Sequence, residues 1–281
     1  MHSVVCLKQV PDTSQVHIDP KTGTMQRAGV PSIINPFDIH AVEEAMRVKD
    51  KYGGKVTVIS MGPPQATEAL KKAVSFGVDR AILITDRAFA GSDTLATSYV
   101  LAQAIRKIRE TEPVDLIFCG KQTIDGDTAQ VGPGIAARLE ISQLTYIKKI
   151  REVDPQKREV TVERKVERGH EVIVSRLPAL LTVVQELNIP RRASFPELLR
   201  AARFEVEIWN KDSLNVDPAA LGLKGSPTTV KRIFAPPTRP GGEMITDGQK
   251  DLATAVGALV EKLLVRDALG RLDSLTDVAR H

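Results

Sequence analysis

Four times in the first 140 residues, a short apolar run is followed by a segment whose apolar residues recur at helical spacing. The runs are Val4–Val10, Lys55–Met61, Arg80–Thr85 and Val114–Cys119, all rich in β-branched residues. The helical patterns start at Asn35 and cover Pro64–Phe76, Asp93–Ile108 and Ala129–Leu139. Runs apolar throughout, separated by helix-length segments, predict an α/β fold: a parallel sheet covered by helices on both faces. Such sheets bind ligands at the carboxyl ends of their strands. The turns at 7–12, 61–64, 86–93 and 120–128 are therefore expected along one edge.

Local signals sharpen the boundaries. In Asn35-Pro36-Phe37-Asp38, Asn35 suits an N-cap, Pro36 the first helical position and Asp38 the positive end of the helix dipole. Gly53-Gly54 ends that helix. Val16–Ile18 and Thr24–Gln26 flank the turn Asp19–Gly23 and predict a small hairpin. Alternating runs over 144–184 predict antiparallel hairpins added to the sheet edge. From residue 188 the pattern loosens. Seven of the 17 prolines fall between Pro190 and Pro240, and only Glu197–Arg203 looks helical before Thr246. Phe195, Phe204, Ile208, Trp209 and Phe234 nevertheless need a surface. The expected division is an α/β domain over 1–187, an extended arm over 188–245 and a helical segment over 246–281. That last segment opens on a capping box at Thr246-Asp247-Gly248-Gln249 and has a stripe of Leu252, Val256, Leu259 and Leu263.

Composition narrows the chemistry. Net charge is only +4, from 39 basic and 35 acidic residues, and aromatics make up 4%, so nucleic acid is not an expected partner. The only two cysteines, Cys6 and Cys119, sit in apolar strand runs and read as buried, reduced thiols. No HExxH, GxSxG, GxGxxG or GxxxxGK[ST] occurs. The five histidines show no metal spacing, with His40 read as a helix residue and His170 as a hairpin residue. The start lacks a signal-peptide pattern and no segment suits a bilayer, so a cytoplasmic protein is expected.

The candidate site is 114–134, a strand, a glycine-containing polar turn and a helix start. Free N–H groups and the helix dipole favour a phosphate there. Lys121 can neutralise it, while Gln122, Thr128 and Gln130 offer hydrogen bonds. Gly126, Gly132 and Gly134 let a ligand approach backbone. Asp125 and Asp127 can cap the following helix or accept ribose hydroxyls. They also resemble the DxD of the haloacid-dehalogenase-type DxDxT, with Thr128 one position early, but there the nucleophile leaves the strand directly, whereas five residues separate Asp125 from Cys119. A capped turn with no ligand is the plain alternative. A second helix mouth, Ala88–Thr94 with Thr97 and Ser98, is small and hydroxyl-rich, with capping by Ser92 or Asp93 as its plain reading.

Along nearly its whole length the chain resembles the β subunit of electron-transfer flavoproteins. The resemblance rests on Val4–Asp12 (VVCLKQVPD), Asn35–Asp38 with Ala41–Ala45, Ser60–Pro63, Gly120–Asp127 (GKQTIDGD), Leu187–Arg191 and Phe195-Pro196. It implies a Rossmann-like nucleotide domain and a heterodimer with an FAD-carrying α subunit, which the C-terminal arm embraces. The β-subunit nucleotide is structural AMP in ordinary members. In bifurcating and Fix-type members it is a second FAD that takes a hydride from NADH. One electron then passes to ferredoxin or flavodoxin and the other, through the α-subunit FAD, to a higher-potential acceptor. That acceptor is a quinone oxidoreductase working with a ferredoxin-like subunit, or an acyl-CoA dehydrogenase. Asp86–Ser98, Ile18–Thr24 and Gly29–Asn35 resemble the bifurcating type, which favours FAD over AMP. Any membrane association would then come through partner subunits.

Carried over by position, the resemblance implies that Cys6 and Lys8 floor the nucleotide site. Asn35, Asp38 and Met61 meet the adenosine side. Gly120, Lys121 and Gln122, together with Asp125, Gly126, Asp127, Thr128, Gln130, Val131 and Gly132, bind adenine, ribose and phosphates. Thr94 and Thr97 reach the ribityl or diphosphate, and Phe89, Ala90 and Gly91 border the nicotinamide. Phe195, Pro196, Leu198 and Leu199 match the partner-docking recognition loop near 191–200, with Phe195 where a leucine is common. A nucleotide-binding stress-type protein without a partner is a remoter reading, because it has no need of the arm.

Overall fold

The computed structural model describes residues 1–12, 17–18, 25–26, 31–231, 245 and 251–265. Chain contacts separate two units, Met1–Ala235 and Pro236–His281.

The first unit is built on a nine-stranded sheet. Its strands enter as β1 (His2–Cys6), β6 (Lys55–Met61), β7 (Arg80–Ile84), β8 (Leu116–Gly120), β9 (Ser142–Asp154), β10 (Glu159–Val166), β11 (Gly169–Arg176), β12 (Ala179–Val183) and β13 (Glu207–Trp209). They lie in the order β11-β10-β9-β12-β8-β1-β6-β7-β13. From β9 to β13 all neighbours are parallel; β10 and β11 are antiparallel. Four further short strands form separate antiparallel pairs: β2 (Gln9–Pro11) with β5 (Ser32–Ile34), and β3 (His17–Ile18) with β4 (Met25–Gln26). The second pair is the expected hairpin; its turn lies outside the described residues.

Helices α1 (Pro36–Tyr52) and α2 (Thr67–Val74) follow β5 and β6, while α3 (Thr94–Thr111) and α4 (Val131–Leu139) follow β7 and β8. The pleat sorts side chains between two cores. Val5, Val58, Leu83 and Phe118 pack with Ala41, Val42, Ala45 and Leu70 of the first two helices. Val4, Cys6, Ile59, Ile117 and Cys119 pack with Val100, Ile105, Ile135 and Ala136 of the other two. With both faces covered, the strands carry continuous apolar runs, the feature that made them legible.

The differences from the sequence reading have physical causes. The first run breaks after Cys6. Leu7 N–H makes a last bond to Ile59 O at 3.0 Å, and Lys8 N–H turns away to the Asp38 carboxylate. Asn35 occupies the N-cap position of α1, but its side chain caps nothing. α4 starts at Val131 because Ala129 has φ 56°, a left-handed conformation that cannot continue a helix. Only β10 and β11 are a hairpin extension. β12 instead inserts between β8 and β9, parallel to both.

The compact unit also runs past residue 187. β13 pairs with β7, Arg80 and Glu207 form a two-pronged ion pair at 2.6 and 2.8 Å, and Trp209, Leu214 and Leu221 join the second core. In the second unit the described helix is α6 (Leu252–Val265), where Asp251 accepts from Thr254 N–H. The expected capping box at 246–249 lies outside the described residues. Among the described residues no helix is long and apolar enough to cross a membrane.

Candidate functional site

β1 sits between β8 and β6, so the connection through α1 leaves it on one side and the later crossover through α3 returns to the other. The carboxyl ends of β1 and β8 therefore flank the switch point of the sheet, where open α/β folds form a crevice. A cleft of about 1020 Å³ opens there. The four expected turns meet in it, through Leu7 and Lys8, Met61–Pro64, Asp86–Asp93 and Gly120–Thr123.

Asp38 holds the base of this cleft together. It is 4% exposed, and its carboxylate accepts from Lys8 N–H at 2.7 Å, Gly120 N–H at 3.1 Å and Asn35 Nδ2 at 3.0 Å. One helix residue thus ties the ends of β1 and β8 to α1. Burial pushes its carboxyl up to about 7, against the pull of those hydrogen bonds and of the Lys8 ammonium. Asn35, fully buried, also donates to Gln122 O at 2.8 Å and accepts from Ile124 N–H at 3.1 Å, which braces the loop after β8. That is why it does not cap α1.

Lys8 Nζ reaches across to both Asp125 oxygens, at 2.9 and 2.7 Å. Burial raises the Asp125 carboxyl, but the bonds from Lys8 outweigh it and leave the group below its usual range. Asp127 accepts from the Gln122 amide. Neither aspartate caps α4, as the sequence had suggested. No side chain caps that helix at all, so its first N–H groups face the cleft ready for an anion. The approach is close: a Cβ on Gly132 would lie 2.7 Å from Thr182 Cγ2, and one on Gly120 2.2 Å from Asp38 Oδ1.

α3 supplies the opposite wall. Thr94 Oγ1 donates to Gln130 Oε1 at 2.8 Å, linking the two helix mouths, and Thr97 lies one turn further along the cleft. Asp93, not Ser92, caps α3, accepting from Leu95 and Ala96 N–H at 2.9 and 3.0 Å. Its other oxygen accepts from Thr228 N–H and Oγ1 at 3.1 and 2.8 Å. Burial raises the Asp93 carboxyl, and this set of donors brings it below its usual range. Asp93→Ala is expected to lower stability by about 1–2 kcal/mol through the lost cap. It should also release the 226–228 strap, read as faster proteolysis or amide exchange there. Unchanged exchange at 226–228 would show that the strap is held by other contacts.

Of the expected site residues, Cys6, Lys8, Asp38, Met61, Thr94, Thr97, Gly120, Lys121, Gln122, Asp125, Gly126, Thr128, Gln130, Val131 and Gly132 line this cleft, as do Phe89, Ala90 and Gly91. Asn35 stands buried behind the wall and holds it, while Asp127 is exposed and accepts from Gln122. The Phe89 ring is 5% exposed and packs in the core, so Ala90 and Gly91 form the open border. Pro63 and Arg87, from the expected turns, also line the cleft, as do Thr85, Thr228 and Val230, which were not foreseen. Residues 228 and 230 carry no motif; they arrive because Gly222 and Leu223 pack on the 88–91 turn, where a Cβ on Gly91 would lie 2.7 Å from Leu223.

Away from the cleft, Phe195, Leu198 and Leu199 project from a short helix, α5 (Phe195–Arg203), at 78, 45 and 45% exposure. Pro196 is exposed beside them. Their platform is pinned. Arg191 pairs with Glu43 at 2.9 Å and Asp50 at 2.7 Å, Asn188 bonds His40 and Glu44, and Arg200 donates to Val74 O and Val78 O.

Comparison with known proteins points the same way. A family model described as electron transfer flavoprotein domain matches residues 22–214. The chain is 53% identical over 268 residues to "Protein FixA" of Azotobacter vinelandii, covering 95% of each chain. It is 51% identical over 256 residues to "Electron transfer flavoprotein subunit beta" of Clostridium acetobutylicum, covering 91% of this chain and 96% of that one. The protein of the same description in Thermoanaerobacterium thermosaccharolyticum is 51% identical over 270 residues, covering 96% of this chain and all of that one.

Proposed function

The chain belongs to the electron transfer flavoprotein family, as a β-type subunit, and on that premise we propose that its cleft holds FAD and serves NADH-dependent electron bifurcation. The supporting observation is the reach of one continuous cleft. It runs from the uncapped start of α4 to the small-residue border at Ala90-Gly91, and its 1020 Å³ is at the upper end of ligand sites. A mononucleotide such as AMP needs only the α4 half.

In this reading the free N–H groups at Val131 and Gly132 take a phosphate, with Thr97 and the Gln130 amide donating alongside and Thr94 holding Gln130 in place. Asn35 and Asp38 set the loop that receives the adenosine, and Lys8 and Asp125 are paired ready to meet ribose or phosphate. Ala90 and Gly91 leave room for a flat ring and for the nicotinamide. FAD held there would supply hydride acceptance from NADH and single-electron transfer toward a ferredoxin or flavodoxin and, through a flavin on the α subunit, toward a higher-potential acceptor. The α subunit is the obligate partner in this proposal. The segment beyond 188 meets it, and Phe195, Pro196, Leu198 and Leu199 dock redox partners. The high-potential branch leads to quinone through a Fix-type oxidoreductase, or to an acyl-CoA dehydrogenase.

The test is to copurify the chain with its α subunit, denature the complex and quantify the released nucleotides. Two FAD per heterodimer, with flavin bleaching on addition of NADH, is the expected result. One FAD plus one AMP, with no reaction toward NADH, would overturn the proposal in favour of an AMP-bearing scaffold for one-electron transfer.

A further inference from the structure

The two cysteines are 113 positions apart in sequence, yet the sheet brings them together. Cys6 and Cys119 are direct register partners on β1 and β8, the strands that flank the switch point. Neighbouring strands run about 4.8 Å apart, within the Cα separation of about 4.4–6.8 Å that a disulfide spans. Direct partners on adjacent parallel strands point to the same face, and both residues pack in the same core beneath α3 and α4. Both are free, buried thiols. Both are buried, at 8 and 5% exposure, and both residues line the 1020 Å³ cleft, the side from which a small solute approaches them. Nothing in the proposed nucleotide chemistry uses a thiol.

We propose that Cys6 and Cys119 form a dithiol modification site that hydrogen peroxide converts reversibly to an intramolecular disulfide at the cleft floor. One sulfur attacks a peroxide oxygen; the O–O bond breaks, and water leaves with the thiol proton, giving a sulfenic acid. The second sulfur attacks the first, and the hydroxyl departs as water with the second thiol proton. Two thiols and one peroxide thus become one disulfide and two waters, the sulfurs being oxidised and the peroxide oxygens reduced. The neighbouring Cys6, burial and the nearby Asp38 carboxylate all push the Cys119 thiol up. A small thiol reductant reverses the bridge by exchange. The site is independent of which nucleotide the cleft holds.

The test uses the full chain in its purified, reduced complex, treated with hydrogen peroxide and quenched. Free thiols counted on this chain in denaturant are expected to fall from two to none, and a non-reducing peptide map to show one linked pair carrying Cys6 and Cys119. Dithiothreitol should restore both thiols. Cys119→Ser should leave Cys6 as a sulfenic acid trapped by a dione reagent, with no intramolecular link. The wild-type result alone decides the matter if that variant does not fold. Two free thiols persisting under conditions that oxidise an added small-molecule dithiol, or sulfinic acid on either cysteine without a link, would overturn the proposal.

Discussion

Asp38→Ala is expected to lower the unfolding free energy by about 3 kcal/mol at pH 5, because it strands the Lys8 and Gly120 N–H groups in a buried site at about 1–3 kcal/mol each. The same change should sever β1 from β8 at the cleft base and reduce nucleotide retention. Its size should depend on pH. The Asp38 carboxyl stands at about 7 in the fold, above its ordinary 3.8, so the folded protein holds that proton more tightly than the unfolded chain. The resulting stabilisation is complete below about pH 3.8 and is lost as pH rises through 7. Between pH 5 and 8 the penalty of the alanine variant should shrink by up to about 3 kcal/mol. Denaturant melts of both proteins across that range check the sign. A penalty that stays flat or grows with pH would mean that the three hydrogen bonds keep Asp38 ionised in the fold.

Gly120→Ala is the second large effect, and it arises without any polar chemistry. The added methyl would lie 2.2 Å from Asp38 Oδ1, 2.7 Å from Phe37 Cβ and 2.9 Å from the Phe37 backbone carbon. All three lie in the first turn of α1, and Phe37 C and Cβ are fixed by its backbone, so no rotamer relieves the contact. The end of β8 and the start of α1 must part, at about 2–3 kcal/mol. Nucleotide release from the complex should accelerate in step. Because the displaced group is Asp38 itself, Gly120→Ala and Asp38→Ala should combine to less than the sum of their separate penalties. Full additivity in a double-mutant cycle would show that Gly120 and Asp38 do not share one clamp.

Much of this was visible in the chain. Strands buried on both faces announce themselves as unbroken β-branched runs, and Asp93 and Gly53 end helices by local chemistry that short windows capture. The cleft residues on Gly120–Gly132 were legible because a helix start without bulk is a local pattern. What was hidden depends on distant pairing. Asn35 is a good cap by type, yet its amide serves Gln122 and Ile124, 87 and 89 positions away. Asp125 and Asp127 likewise suit a cap, but Lys8 and Gln122 claim them. The parallel insertion of β12 and the addition of β13 follow from which edges lie open after the first strands pair, and no window of neighbouring residues records that. The resemblance supplied roles that the spacing alone left open.

The placement of β13 carries a further consequence. An exposed parallel edge at β7 would present unpaired N–H and C=O groups to other chains, and Glu207–Trp209 covers it. The chain that does so continues through Leu214 and Leu221 to the strap fastened on Asp93, where Thr228 and Val230 border the cleft. One ribbon therefore guards the sheet against edge-to-edge aggregation and closes the wall of the cleft. Sheet protection and the cleft wall are thus threaded on a single segment, and a lesion anywhere along it touches both.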